Sequence, residues 1–400
     1  MEKRIIILSL VLCVFGITTG EFVISGILPD IAKDLSVSIP AAGLLVTAYA
    51  IGMIVGGPTL TALTTRFPRK PLIVSLLVVA VLGNLASAFA PNYPILFVAR
   101  VVTALVTSTF FANAIVIAAS TAEPGKQASA VSRLAFGMNL SIILGAPIGT
   151  FIGNSFGWRA PFIAIAICCA LGLLLVFLLV PRDQSAASPT SAVSELRVFR
   201  SRDVQLAIAI TAISNIGVLT VFTYFAPLFT TITGFSTDAV AILLLVYGVG
   251  ASVGNFVGGW LSDKALMPSQ ISLLTILTAV LLLLWLVSTN MVLSAVLIFV
   301  VGALAFSVIP GMQTRVLTTA TAAPTLAIAV NASAYQLAAA LAGWLGGQVM
   351  NSGLGLRSMY PVGAAITVLG ILVSCYAWYR DRKGAINKEH EALREDVKSV

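Results

Sequence analysis

The stretch Tyr49-Ala50-Ile51-Gly52-Met53-Ile54-Val55-Gly56, followed by Leu63, returns later in the chain as Tyr247-Gly248-Val249-Gly250-Ala251-Ser252-Val253-Gly254, followed by Leu261, without a gap. The offset that carries Tyr49 onto Tyr247 also carries Pro29 onto Pro227, and Gly145 and Gly149 onto Gly343 and Gly347. It carries Gly157-Trp158-Arg159 onto Gly355-Leu356-Arg357. One frame therefore holds over most of the chain, and the protein reads as two copies of one unit. The longest polar interval, Pro181 to Asp203, lies between the copies. The expected organisation is a first bundle over 1–180, a linker over 181–203, a second bundle over 204–380 and a polar tail over 381–400.

Composition decides the solvent. The 400 residues are 58% hydrophobic and only 10% charged, with a mean hydropathy of +1.03. That leaves too few charges to cover a water-soluble globule. A helix crossing a bilayer takes about 20 apolar residues, and twelve stretches of that kind follow one another. They begin at Ile5, Ala41, Pro71, Pro94, Ala128, Arg159, Val204, Asp238, Pro268, Met291, Thr325 and Ser358. The fold class is thus all-α, with twelve transmembrane helices in two pseudo-symmetric six-helix bundles. The start, Met1 to Arg4 and then Ile5 to Gly16, has the outline of a signal peptide. No small-residue cleavage site follows, however, and the apolar run continues to Leu28, so it is expected to remain as the first span.

Orientation follows from Lys and Arg, which stay on the cytoplasmic side. Of the 23 basic residues, Lys33, Arg159 and Arg357 fall on the far side of the spans from the N-terminus and Arg100 falls within a span, while the rest lie on the N-terminal side. Both termini are therefore expected in the cytoplasm, with the chain in the cytoplasmic (inner) membrane. The net charge of +8 is spread over those loops and mixed with acids in the tail, so topology accounts for it and no nucleic-acid partner is expected. Cys13, Cys168, Cys169 and Cys375 all sit in apolar spans without metal-ligand spacing and read as packing residues. The single histidine, His390, lies in the tail. Neither a metal nor a cofactor is expected, and no nucleophile–base pair or phosphate loop argues for an enzyme.

Two ionisable residues lie inside spans: Glu21 in the first and Arg100 in the fourth. Charges at such depth are costly, and as a rule face a cavity or a partner and serve function. Thr18, Glu21 and Ser25 share one helical face; Arg100, Thr103 and Thr107 repeat that spacing, and Phe110 and Phe111 continue the stripe. At the repeat offset Glu21 meets Leu219 and Arg100 meets Ile298, so the symmetry of the fold demands neither charge. The second half offers Asn215, Gln313, Asn331, Tyr335 and Gln336 as uncharged hydrogen-bonding groups. The plainer alternatives are that Glu21 reaches outer solvent, that Arg100 snorkels or ties helices together, and that the amides join helices. A cavity of aromatics, amides and hydroxyls with one acid suits a neutral or cationic amphipathic molecule better than a polyanion.

Parallel repeats of six spans are the pattern of major facilitator transporters, which hold substrate midway through the bilayer between the halves. Over its whole length the chain resembles the twelve-helix drug/H⁺ antiporters of that superfamily. Gly145-Ala146-Pro147-Ile148-Gly149 with Gly153 is similar to the antiporter motif of helix five, whose Gly-Pro kink goes with exporters; the copy at Gly343 to Gly347 lacks the proline. Leu96 and Arg100 resemble the arginine motif of helix four, although Thr103-Ala104 stands where the family has Gln-Gly. The gating loop between helices two and three keeps the basic Arg66, Arg69 and Lys70 but has lost its aspartate and glycines. Its second-half copy, Gly259-Trp260-Leu261-Ser262-Asp263-Lys264, keeps an acid. Gly20-Glu21-Phe22 and Gly26-Ile27-Leu28-Pro29 are similar to the branch of chloramphenicol, sugar and purine exporters. The resemblance implies a monomeric carrier that exports a small molecule against protons by alternating access. It implies Glu21 and Arg100 in proton coupling, and gating by Arg66, Arg69, Lys70, Gly145, Pro147, Gly149, Asp263 and Lys264. Proton-coupled uptake of a small polar metabolite is the alternative.

Overall fold

The computed structural model describes residues 2–64, 67–121, 134, 137–180, 199–321 and 324–398. Helix one runs over Glu2–Phe22 and, after a turn at Val23, Ile24–Asp34. Helices two, three and four are Ile39–Thr64, Arg69–Ala88 and Tyr93–Thr121. Helix five is described from Gly137 and contains a π-helical turn, Ser141–Gly145, before Ala146–Phe156; helix six is Ala160–Leu179. In the second half helix seven runs over Arg202–Thr223, Phe225–Pro227 and a π turn Leu228–Ile232. Helices eight to eleven are Thr237–Lys264, Leu266–Val287, Met291–Thr319 and Pro324–Asn351. Helix twelve is Met359–Lys398. Ten of these helices are long and apolar enough to cross a membrane on length and composition alone.

Two helices depart from regular α geometry where prolines dictate it. Pro227 has no N–H for the carbonyl of Thr223, and helix seven is interrupted there. Pro147 withholds its N–H from Ile143, which lies in the π turn of helix five. Pro29, the repeat partner of Pro227, lies in the short second piece of helix one. At its other end, helix twelve continues into the polar tail without a break, to Lys398. Its Ala, Glu, Lys and Arg are strong helix formers, so loss of hydrophobicity ends the span without ending the helix.

The repeat is a repeat of contacts. Gly52 and Gly56 let helix two press on the backbone of helix four at Val101 and Leu105. Gly250 and Gly254 bring helix eight onto helix ten at Phe299 and Ala303, the same pairs moved by the repeat offset. Each half has its own apolar core, one around Leu10, Ile27, Leu77 and Phe162, the other around Phe225, Leu274, Leu281 and Val301. A third, small cluster of Ala50, Leu219, Ala338, Ala339, Ala340 and Ala342 joins helices two, seven and eleven across the halves. Phe156, Phe256, Leu8 and Leu286 point outward, as side chains solvated by lipid do.

Candidate functional site

Glu21 lies near the end of the first piece of helix one, where the halves meet. Its Oε1 accepts a hydrogen bond of 3.0 Å from Nε2 of Gln336 in helix eleven, and the same nitrogen lies 3.1 Å from Sδ of Met53 in helix two. Glu21 and Tyr335 are each only half-buried. The helical face read from the sequence is only partly used as expected. Ser25 gives its hydroxyl to the Phe22 carbonyl at 2.7 Å, while the buried Thr18 hydroxyl has no partner.

Arg100 is 1% exposed, and its Nε, Nη1 and Nη2 have no hydrogen-bond partner. Its guanidinium instead lies over the ring of Tyr49 at 4.4 Å and near that of Phe162 at 5.8 Å. The Tyr49 hydroxyl is 3.1 Å from Oγ1 of Thr107. Thr103 and Thr107 give their hydroxyls to the preceding helical turn, at Ala99 and Thr103. Phe110 is fully buried in the first-half core, so the aromatic continuation of the stripe packs the bundle.

In the second half Asn215 is buried and bonds the Thr211 carbonyl at 2.7 Å, with Met312 Sδ at 3.4 Å. Asn331 is buried with its Oδ1 unpartnered. Gln313 of helix ten is exposed. Of the gating residues, Arg66 lies outside the described residues, as does most of the linker 181–203. Lys70 lies over the ring of Phe177 at 5.7 Å and Lys264 over Trp260 at 3.6 Å, beside an exposed Asp263. The strong ion pair at that end is a different one, to which sequence reading gave no role. Arg315 of helix ten meets both carboxylate oxygens of Asp381 in helix twelve, at 2.7 and 3.3 Å.

Opposite the termini, the halves are joined by small residues. Gly43 of helix two packs on Tyr224, Gly343 of helix eleven on Thr47 and Gly43, and Gly347 on Pro40. Thr47 donates to the Ala340 carbonyl at 2.8 Å, and Asn154 of helix five to the Thr237 carbonyl of helix eight at 2.7 Å. Gly145, Gly149 and Gly153 press instead on Thr19, Val23 and Ile27 of helix one, inside their own half. Nearby, Asp34 takes bonds from the Trp158 indole at 3.0 Å and from Arg159 at 2.5 Å, which hold its carboxyl below the usual carboxylate range. This end is closed; a cleft of about 450 Å³ beside Asp30, Asn154 and Trp158 remains on its surface.

A bundle of two repeated halves, joined at the end opposite the termini and bridged by a hydrogen bond to a carboxylate inside helix one, is the architecture of a secondary transporter. The sequence model of the Major Facilitator Superfamily matches residues 10–326, and the chain belongs to that family of multi-pass membrane transporters, which are not enzymes. The inner membrane transport protein YdhP of Escherichia coli (strain K12) is 36% identical over 367 residues, 92% of this chain and 94% of its own length. A probable sugar efflux transporter of Mannheimia succiniciproducens is 31% identical over 372 residues, 92% of each chain. Among solved structures, a bacterial homolog of the human lysosomal transporter Spinster, inward-facing and unoccupied, matches with a TM-score of 0.73 and 16% identity, over 94% of this chain and 95% of its own. That likeness concerns the fold.

Proposed function

We propose that the chain exports a small neutral or cationic amphipathic molecule in exchange for protons, by rocking bundle 1–180 against bundle 204–380, with Glu21 as the group that exchanges the proton. The observation that carries this reading is a carboxylate inside helix one, where the halves meet, reached by a donor from the opposite half. A proton-exchanging group has to be reachable from one side of the membrane at a time, and the seam between the halves is where rocking changes access. Tyr335, Gln336, Asn331 and Thr18, polar groups of helices one and eleven, are the proposed substrate contacts. Arg100 is the buried cation of helix four in the same half, and is proposed to share in proton coupling. The Gly145–Pro147 motif and the efflux relative support export over uptake. The basic residues beside the termini support a cytoplasmic location for that end, in an inner membrane like that of YdhP. Each proton moved down about 100 mV releases about 2.3 kcal/mol, enough for roughly 50-fold accumulation of a neutral solute.

The test is flux in proteoliposomes under an imposed pH gradient, with chloramphenicol, a pentose and a purine as probes. Transport of a probe uphill, against the direction of proton flow, is the expected result. Glu21→Gln should keep binding, because a permanently neutral side chain stands in for the protonated state, and should lose uphill movement altogether. Full gradient-driven transport by Glu21→Gln would place the proton on another group. Uphill movement in the same direction as the proton would replace export with symport.

A further inference from the structure

The hydrogen bond between Gln336 and Glu21 joins residues 315 positions apart and crosses from one half of the transporter to the other. Gln336 is 7% exposed, and its nitrogen also meets Met53, so one amide touches helices one and two from helix eleven. An ionised carboxylate only accepts hydrogen bonds, so the nitrogen end of the amide is the end that fits there. The fold does not require this residue. At the repeat offset Gln336 meets Met138, which is 40% exposed and apolar.

We propose that Gln336 is the coupling tether of the transporter: its amide holds helix eleven to Glu21 and keeps the empty, deprotonated protein closed at the end opposite the termini. This rests on Glu21 being the proton-exchanging group. A hydrogen bond to an ionised acceptor is about twice as strong as one between neutral groups. Protonation of Glu21 therefore weakens the tether, and a substrate that bonds to Gln336 or Glu21 competes for it. Either ligand frees the halves to move, whereas the empty charged carrier stays shut. An antiporter needs that restriction, because an empty deprotonated carrier that reopens by itself lets protons pass with no substrate in return. The other titratable groups facing Glu21 are Arg100 of helix four, Tyr49 of helix two and Tyr335 of helix eleven. Arg100 has buried N–H groups without acceptors, so it offers the carboxylate a partner within its own half once Gln336 has let go.

The experiment needs no substrate. The purified full-length chain is placed in proteoliposomes with a trapped pH-sensitive dye, and an interior-negative potential is imposed. Wild type should admit protons slowly. Gln336→Ala should leak about tenfold faster or more, the population change that goes with losing a hydrogen bond to a charged group. Gln336→Leu, which fills the space without a donor, should leak as fast, and adding Glu21→Gln to either should return the leak to the wild-type rate. A Gln336→Ala leak at the wild-type rate overturns the tether, as does a leak in Gln336→Ala that Gln336→Leu repairs, which would mark a packing defect. A leak that persists with Glu21→Gln overturns the assignment of the proton to Glu21, and the tether with it. Hydrogen exchange of residues 39–47 supplies a readout free of any change at 336. Corrected for intrinsic rates, exchange there should rise as pH falls in wild type, and should stay at the low-pH level at all pH in Glu21→Gln. Exchange in wild type that is indifferent to pH also overturns the proposal.

Discussion

At the scale of single residues, Arg100 poses the sharpest energetic question, since a buried guanidinium without hydrogen bonds has to be compensated some other way. The face of Tyr49, 4.4 Å from the guanidinium carbon, supplies part of that compensation, and a desolvated cation–π contact is worth about 2 kcal/mol. Tyr49→Phe keeps the face and loses only the hydroxyl contact with Thr107, so it should cost about 0.5–1.5 kcal/mol. Tyr49→Leu removes the face and should cost about 2 kcal/mol more. Thermal unfolding of the purified variants in detergent measures both. Equal losses would mean that the ring face does not hold the charge. Because no N–H of Arg100 is paired in this state, Arg100→Lys should be milder than Tyr49→Leu in the same measurement.

At the scale of elements, the glycines of helix eight separate two roles that sequence spacing treats alike. Gly254 lies against the Ala303 backbone of helix ten, whereas nothing approaches the position a side chain would take at Gly259. Gly254→Ala should therefore force the helices apart at a cost of about 1–3 kcal/mol, as overpacking does. Gly259→Ala should be neutral, or up to about 1 kcal/mol stabilising, through helix propensity. Comparing the melting temperatures of the two variants tests the contact. A loss at Gly259→Ala as large as that at Gly254→Ala would mean that both glycines are packed. The first-half copy of this contact, Gly56 on Leu105, should behave like Gly254.

For the whole molecule, the balance between closed and open arrangements depends on how the seam opposite the termini is held. Thr47→Val keeps the shape of the side chain and removes its bond to the Ala340 carbonyl across the halves. One such bond is worth about 0.5–1.5 kcal/mol, so the open population should rise about two- to tenfold. Hydrogen exchange over residues 39–47 and 343–351 should accelerate by that factor. An unchanged rate would mean that packing of Gly43, Gly343 and Gly347 holds the seam without the hydroxyl.

The amino-acid sequence by itself determined the solvent, the spans and the duplication, because hydrophobicity and a fixed repeat are properties of the chain read in order. It also determined that Glu21 and Arg100 lie inside spans, without deciding whether they meet solvent or protein. Only the tertiary structure decided what those charges touch. It set Gln336 against Glu21 and the ring of Tyr49 under Arg100, put Phe110 in a core, and left Gln313 exposed. In water, hydrophobic periodicity tells which face of a helix turns inward. In a bilayer lipid is as apolar as the core, so the rotation of each helix is fixed by close packing and by hydrogen bonds between helices. Those contacts join residues hundreds of positions apart, and no local pattern in the chain records them.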